Sequence, residues 1–213
     1  METPMNTRDA QRMSWMKRAS FLVCFLSLQT GSANADLIQF SDDTFASWID
    51  SVLSQAGPVT LIASQAASDG NPGDYWRIEH TYGGNSGGGH LISGHLNSGA
   101  IYNPAVQGAL TSLDYEFDAR VINGGASNGV AYGALLQQSG NVYIGGFATL
   151  GPLTSWTTLQ FLNLTSANFG LVGAAVGQPN FSVSGAPITL GFFASNGTGN
   201  SSQTSTNRYR APT

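Results

Sequence analysis

LDYEFDARVINGGASNGVAYGALLQQSGNVYIGG, residues 113–146, decides the fold. Apolar-alternating runs are separated by a Gly/Asn/Ser cluster and by a second turn at Ser139–Asn141, which is how consecutive antiparallel strands of a β-meander read in sequence. Successive side chains of a strand point to opposite faces. Leu113, Tyr115, Phe117, Ala119 and Val121 therefore share one face, expected in the core. Asp114, Glu116, Asp118 and Arg120 share the other, expected in water.

Residues 1–35 stand apart from this pattern. Lys17 and Arg18 precede the apolar run Ala19–Leu28, and Ala33-Asn34-Ala35 supplies the small-x-small pattern that a signal peptidase accepts. A signal peptide over 1–35 with cleavage before Asp36 is expected, starting at Met1 or, for a leader of ordinary length, at Met16. The apolar run has about ten residues where a membrane-spanning helix needs roughly 20. No later run is long enough, so no transmembrane segment is expected, and the protein should be secreted or associated with the cell envelope. The only cysteine, Cys24, falls inside the leader, which leaves residues 36–213 without a disulfide. Their stability must come from one packed domain.

Residues 36–213 keep four cations, Arg77, Arg120, Arg208 and Arg210, against ten acids, a net charge of −6 with no lysine. That balance argues against nucleic acid and anionic membrane surfaces, both of which call for basic patches. A chain poor in charge but rich in Gly, Ser, Asn, Thr and Gln suits an uncharged, hydrogen-bonding β-surface, for which carbohydrate is a natural partner.

Further short strands are expected at 37–40, 59–64, 75–82, 100–102, 156–162, 168–172 and 188–193, with Asn71-Pro72-Gly73-Asp74 as a type II turn. Residues 83–98, GGNSGGGHLISGHLNS, read as a glycine-rich surface loop. Phe45, Trp48, Ile49, Val52 and Leu53 recur at helical spacing behind a Ser41 or Asp42 cap. Short strands at regular spacing with few helical periods indicate an all-β sandwich or barrel.

DGNPGDYWRIEH (69–80), LDYEFDAR (113–120) and PNFSVSGAPITLGFFASNGTG (179–199) together resemble jelly-roll domains of the concanavalin A-like lectin/glucanase superfamily. More closely, they resemble bacterial secreted and surface proteins of that type that often carry a PEP-CTERM sorting signal. The resemblance implies a two-sheet antiparallel jelly-roll sandwich and favours strand over helix at 43–55, which leaves that segment open. Such domains usually end in a strand of the Gly-Ile-Asp-Asn-Phe type, absent here, so the sandwich is expected to lack its last strand. An unpaired edge beside Leu37–Phe40 would then be open to self-association. The sorting signal itself is also absent from the sequence.

Glucanases of that superfamily use carboxylates on one strand face, which makes Glu116, with Asp114 or Asp118, the candidate catalytic set. Alternate residues of a strand lie about 6.6 Å apart by backbone spacing, near the roughly 5 to 5.5 Å a retaining pair needs. The order Asp-Glu-Asp departs from the family's pattern, which wants two glutamates, so a plain wet face is the expectation. Jelly rolls that bind sugar do so through an aromatic platform with polar neighbours. Strand parity selects Tyr75, Arg77, Tyr143, Trp156 and Gln160 for that role: aromatic rings offer large area at little rotamer cost, and Arg and Gln offer directional hydrogen bonds. His80 shares a face with Trp76 and Ile78 and is expected to be buried and hydrogen-bonded. No ligand spacing links it to His90 and His95, and no metal site is expected. Calcium held by Asp42, Asp43, Asp69 or Asp74 is chemically allowed, with no loop spacing that demands it, and no cofactor is expected. No serine sits in a G-x-S-x-G elbow.

The expected protein is a secreted, non-catalytic β-sandwich that recognises glycan or exopolysaccharide. A jelly-roll glycoside hydrolase using Glu116 and a self-associating surface protein are the alternatives.

Overall fold

The computed structural model describes residues 23–25, 37–42, 44–71, 73–82, 89–124, 130–151, 155–197 and 204–210. The strands are β1 (Val23–Phe25), β2 (Leu37–Gln39), β3 (Trp48–Ala56), β4 (Val59–Gly70), β5 (Gly73–Tyr82), β6 (His90–Tyr102), β7 (Ser112–Gly124), β8 (Val130–Gln138), β9 (Asn141–Leu150), β10 (Thr157–Leu164), β11 (Phe169–Leu171), β12 (Ile188–Gly197) and β13 (Thr204–Arg210). One short helix, α1 (Pro104–Gln107), caps the β6 to β7 connection, with the Asn103 side chain accepting from the Ala105 N–H. No helix among the described residues is long and apolar enough to cross a membrane.

Seven strands form one sheet in the order β2-β1-β7-β13-β5-β4, with β10 on the free side of β7, and six form the other in the order β11-β9-β8-β12-β6-β3. Leu113 pairs with both Cys24 and Leu164, and Ala119 with both Thr157 and Tyr209. So β10 lines one side of β7 while β1 and β13 share the other. From β5 onward the first sheet contains β5-β13-β7-β10 and the second β6-β12-β8-β9. That interleaving of two Greek keys is the jelly-roll sandwich.

β7 behaves as its alternation requires. Leu113, Tyr115, Phe117 and Ala119 are fully buried, Val121 nearly so, and the four charged residues between them face outward and are partly exposed. Full burial of a side chain of that size contributes about 1.5–3 kcal/mol each. The hairpin at Ser139–Gly140 is the tight turn expected: both residues have positive φ, 52 and 79, as a two-residue type I′ turn demands. Gly73 has φ 82, as a glycine completing a type II turn must; Pro72 lies outside the described residues.

Three expectations are corrected and one open segment is decided. The run 113–146 is not one meander, because β7 lies in the seven-stranded sheet and only β8 and β9 pair as a hairpin in the other. Local alternation reports a strand but not which sheet it joins. Most of 83–98 is not a surface loop: from His90 it is β6, an interior strand paired on both sides by β3 and β12. Its glycines and polar residues hid an inward row of Leu91, Ser93, His95 and Asn97; residues 83–88 lie outside the described set.

Residues 48–56 are strand, not helix. Trp48 points into the core and pairing with β6 overrides a helical spacing that was a chance overlay. The sandwich also has its last strand: Thr204–Arg210 lies between β5 and β7, paired to both. Leu37–Gln39 pairs with β1 on one side and stands at the edge of the seven-stranded sheet.

The core joins inward residues of both sheets around an aromatic group. Phe45 stacks on Trp76 at 5.8 Å, Trp48 lies 5.2 Å from Phe192, and Phe192 lies 6.1 Å from Phe117. Asp42 anchors the corner that delivers Phe45 and Trp48. Its carboxylate accepts from the N–H groups of Thr44 (2.9 Å) and Phe45 (3.1 Å), from the Trp48 indole (2.7 Å) and from the Asn97 amide (3.0 Å). These bonds hold Phe45 at φ 53, a conformation a bulky residue resists. Asp42→Ala is expected to lower stability by about 2 kcal/mol, since it orphans the part-buried Trp48 and Asn97 donors. In a thermal melt that is about 4–8 °C, against little change for Thr44→Ala.

Candidate functional site

The outward face of the seven-stranded sheet gathers most of the residues that parity selected. Thr158 and Gln160 on β10 stand opposite Asp118 and Glu116 on β7. Thr158 Oγ1 donates to Asp118 at 2.6 Å, and Gln160 Nε2 donates to Glu116. The backbone N–H of Asn163 donates to Asp114 at 2.6 Å. All three candidate catalytic carboxylates thus accept hydrogen bonds from β10, which pairs beside them.

At one end of this face the β4–β5 turn folds over β7. Asp69, at φ 73, meets Arg120 at 3.0 Å, and Asn71 donates to Asp118 at 3.0 Å. The Arg120 guanidinium lies 5.3 Å from the Trp156 ring centre, a cation–π distance, and the edge of Tyr75 meets the same ring at 5.9 Å. Tyr75, only 4% exposed, supports Trp156 from beneath, while Trp156 remains partly exposed. Arg77 lies on the same face, paired with Glu79, and the two line a recess of about 100 Å³ with Ile62 and Ser64.

Tyr143 does not belong to this site. It sits in the other sheet, 6% exposed, inside the main core opposite Leu136. The parity was inverted because the outer face of the six-stranded sheet carries its own apolar cluster: Leu96, Leu135 and Phe193, with Leu53, Ile92, Val142 and Ile144 packed on them. Both faces of β9 are therefore apolar in part, and taking its aliphatic residues as the inward set chose the wrong side.

The side chains considered for metal are engaged elsewhere. Asp74 accepts from Gln65 at 2.6 Å, Asp69 is paired with Arg120, and Asp42 is surrounded by donors beside a recess of about 190 Å³. Asp43 lies outside the described residues. Among the described residues no three His, Cys, Asp or Glu side chains converge as a metal group would need.

One constellation was not foreseen. His80, on the seven-stranded sheet, and Ser93 and His95, on the six-stranded sheet, are all fully buried and bonded through the middle of the sandwich. Ser93 Oγ lies 2.9 Å from Nε2 of both imidazoles. Nδ1 of His95 lies 2.5 Å from an Asp50 oxygen, and Nδ1 of His80 lies 2.5 Å from the Asn196 side-chain oxygen. Ser93 Oγ thus bridges the two imidazoles, and the Trp76 indole N–H is directed at Nδ1 of His95 from 3.2 Å. Burial pushes the His80 pKa down to about 4, opposed by its bond to Asn196 and assisted by His95. Burial also lowers that of His95, against the bond and charge of Asp50.

Asp50, His95 and Ser93 follow the connectivity of a hydrolytic triad, but Ser93 is enclosed by two imidazoles and the Ala194 carbonyl, where no acyl group can reach it. The alternation of Ser93 and His95 on one strand with Ile78 and His80 on another was the only sequence signal for it.

A jelly-roll sandwich bearing a polar, partly aromatic sheet face is the class that fold and site define. No protein-family profile and no curated protein sequence matches the chain. Among solved structures it is similar to the family 11 carbohydrate-binding module of the cellulosomal cellulase Lic26A-Cel5E of Clostridium thermocellum, at 10% identity and a TM-score of 0.42 over 81% of this chain and 94% of that one. It is also similar to the family 11 module from Clostridium thermocellum in complex with a β-1,3-1,4-mixed-linked tetrasaccharide, at 10% identity and a TM-score of 0.40 over 91% and 98%.

Proposed function

We propose that this protein is an exported, non-catalytic module that recognises a glycan through the outward face of its seven-stranded sheet. The observation that carries the reading is Trp156: a partly exposed indole held in place by Tyr75 and Arg120, beside a band of Thr, Asn, Gln and carboxylate groups. An ordered aromatic surface stacks on the apolar face of a sugar ring without paying for its own immobilisation, and the polar band bonds the hydroxyls.

The test is depletion of the purified protein by a panel of soluble and insoluble polysaccharides, reading protein left in solution and new reducing ends together. Depletion without reducing ends is expected, with Trp156→Ala weakening retention at least about tenfold. Reducing ends that disappear in Glu116→Gln would establish a hydrolase and overturn the proposal.

A further inference from the structure

The outward face of the six-stranded sheet has the composition of an interior. Ile49, Leu96, Gly191, Leu135, Ile144 and Gly170 are direct partners in turn, one unbroken row across all six strands. The next row runs Ser51, Gly94, Phe193, Gly133 and Phe147 over five strands. The rows on either side hold only Ser, Thr, Gln, Ala, Ile and Val. Among the described residues these four rows carry no formal charge. The one titratable side chain of that parity is His90, at the end of the face and 3.1 Å from Ser54.

The face is also flat. Phe193 lies over Gly133, where a Cβ would fall 2.6 Å from its ring, and the Leu53 and Leu135 side chains close over Gly94. Large side chains thus lie down on the sheet, and Leu96, Leu135 and Phe193 are buried within this outer layer. Ile49, 58% exposed, and Phe147, 68% exposed, stand at its two sides.

We infer that a second copy of this chain covers this face, in a two-fold dimer packed sheet against sheet. Charge selects that occupant. Residues 36–213 carry a net −6, so two copies repel, but the acids and arginines of β4, β5 and β7 belong to the other sheet. They lie across a sandwich about 10 Å thick, about one Debye length at 0.1 M salt. The charge-free face is where two copies meet with least repulsion, and a two-fold contact needs a surface that complements itself.

Shape and area agree. Flat apolar sheet faces pack on one another, as the two sheets do inside this sandwich. Six strands about 4.8 Å apart and four rows about 6.6 Å apart make a face of about 500 Å². Two copies therefore bury about 1,000 Å², the lower end for a specific interface, which predicts a dimer in exchange with monomer at micromolar concentrations. The two seven-stranded faces then point away from each other, so a module that binds glycan through them is bivalent and cross-links chains. That consequence rests on the glycan-recognition reading; the dimer does not.

Sedimentation equilibrium of the purified protein from about 5 to about 500 μM tests this. The mass should rise from one chain to two and no further, and the dimer should tighten as salt is raised to about 0.5 M, because screening removes repulsion. Ile49→Glu and Phe147→Glu should each weaken it at least about tenfold by setting like charges in contact. Both positions are exposed, so both variants should melt close to the parent in dilute solution. Ile62→Glu, at a position 57% exposed on the other sheet, should leave the dimer unchanged.

Monomer throughout the range, assembly beyond two copies, a dimer that both face variants leave intact, or one that Ile62→Glu weakens equally would overturn the inference. So would flotation of the monomer with uncharged phosphatidylcholine vesicles, which gives the face to lipid. Polysaccharide retention in dilute solution that Ile49→Glu abolishes would give the face to glycan and overturn both readings. Retention without a dimer leaves glycan recognition standing, and a dimer without retention leaves this inference standing.

Discussion

Lowering the pH from 7 to 4 is expected to cost this sandwich about 3 kcal/mol through His80 alone. In the unfolded chain an imidazole takes its proton near pH 6.5, whereas in the fold His80 does so only near pH 4. Between those values the unfolded state binds more protons, so stability rises with pH across the window and is lost as pH falls through it. At about 1.4 kcal/mol per pH unit, the interval amounts to about 3 kcal/mol, and below pH 4 this contribution levels off. His95 adds to the loss with the same sign, since its pKa is also lowered by burial.

The groups facing the pair are Asn196 and Ser93 at His80, and Asp50, Ser93 and the Trp76 indole at His95. Only Asp50 among them carries charge, and it already opposes the shift. Urea unfolding at pH 7, 6, 5.5 and 5, above the range where ordinary carboxylates titrate, checks this. The midpoint should fall steadily with unchanged m, and His80→Gln should flatten the slope while lowering stability at pH 7. A midpoint level from pH 7 to 5, or an equal slope in His80→Gln, would refute it.

Phe192→Ala is expected to be the most damaging single truncation, at about 3–5 kcal/mol. The ring is fully buried on β12 and stacks on His95 at 4.7 Å with planes 21° apart. It also touches Trp48 at 5.2 Å and Phe117 at 6.1 Å, so one side chain joins the aromatic corner, the polar bridge and β7. Removing it leaves a cavity between sheets whose hydrogen-bonded histidines cannot collapse into it. A melting temperature lower by about 10 °C or more follows. Phe147→Ala, on a ring 68% exposed, should stay within about 0.5 kcal/mol. Similar small shifts in both variants would show that the core relaxes around position 192 and would sink the claim.

Strand content was legible wherever one face was apolar and the other charged. β7 shows this best, because Asp, Glu and Arg alternate with aromatic and aliphatic residues. The same rule failed on β9, where Tyr143 and its aliphatic neighbours gave two faces of similar polarity, and on β6, whose inward row includes a serine, a histidine and an asparagine. Polarity marks the outside only when buried polar groups lack partners. Ser93 and His95 find theirs on β5, β12 and β3, remote in sequence.

Of the site, Tyr75, Arg77, Trp156 and Gln160 could be placed on one outward face from parity within single strands. The role of Tyr75 as a buried support for Trp156 could not, because it depends on where β10 begins relative to β5.

By itself, then, the chain determined an all-β sandwich or barrel, a core face for β7 and the turn at Ser139–Gly140, since alternation and positive-φ turn chemistry act over a few neighbouring residues. Tertiary structure alone decided that Thr204–Arg210 closes the seven-stranded sheet between β5 and β7, and that Arg208 thereby stands between Arg77 and Arg120. It also decided that two histidines share one serine across the sandwich. Register between strands distant in sequence is set by the sum of packing over both sheets, and no local pattern carries that sum.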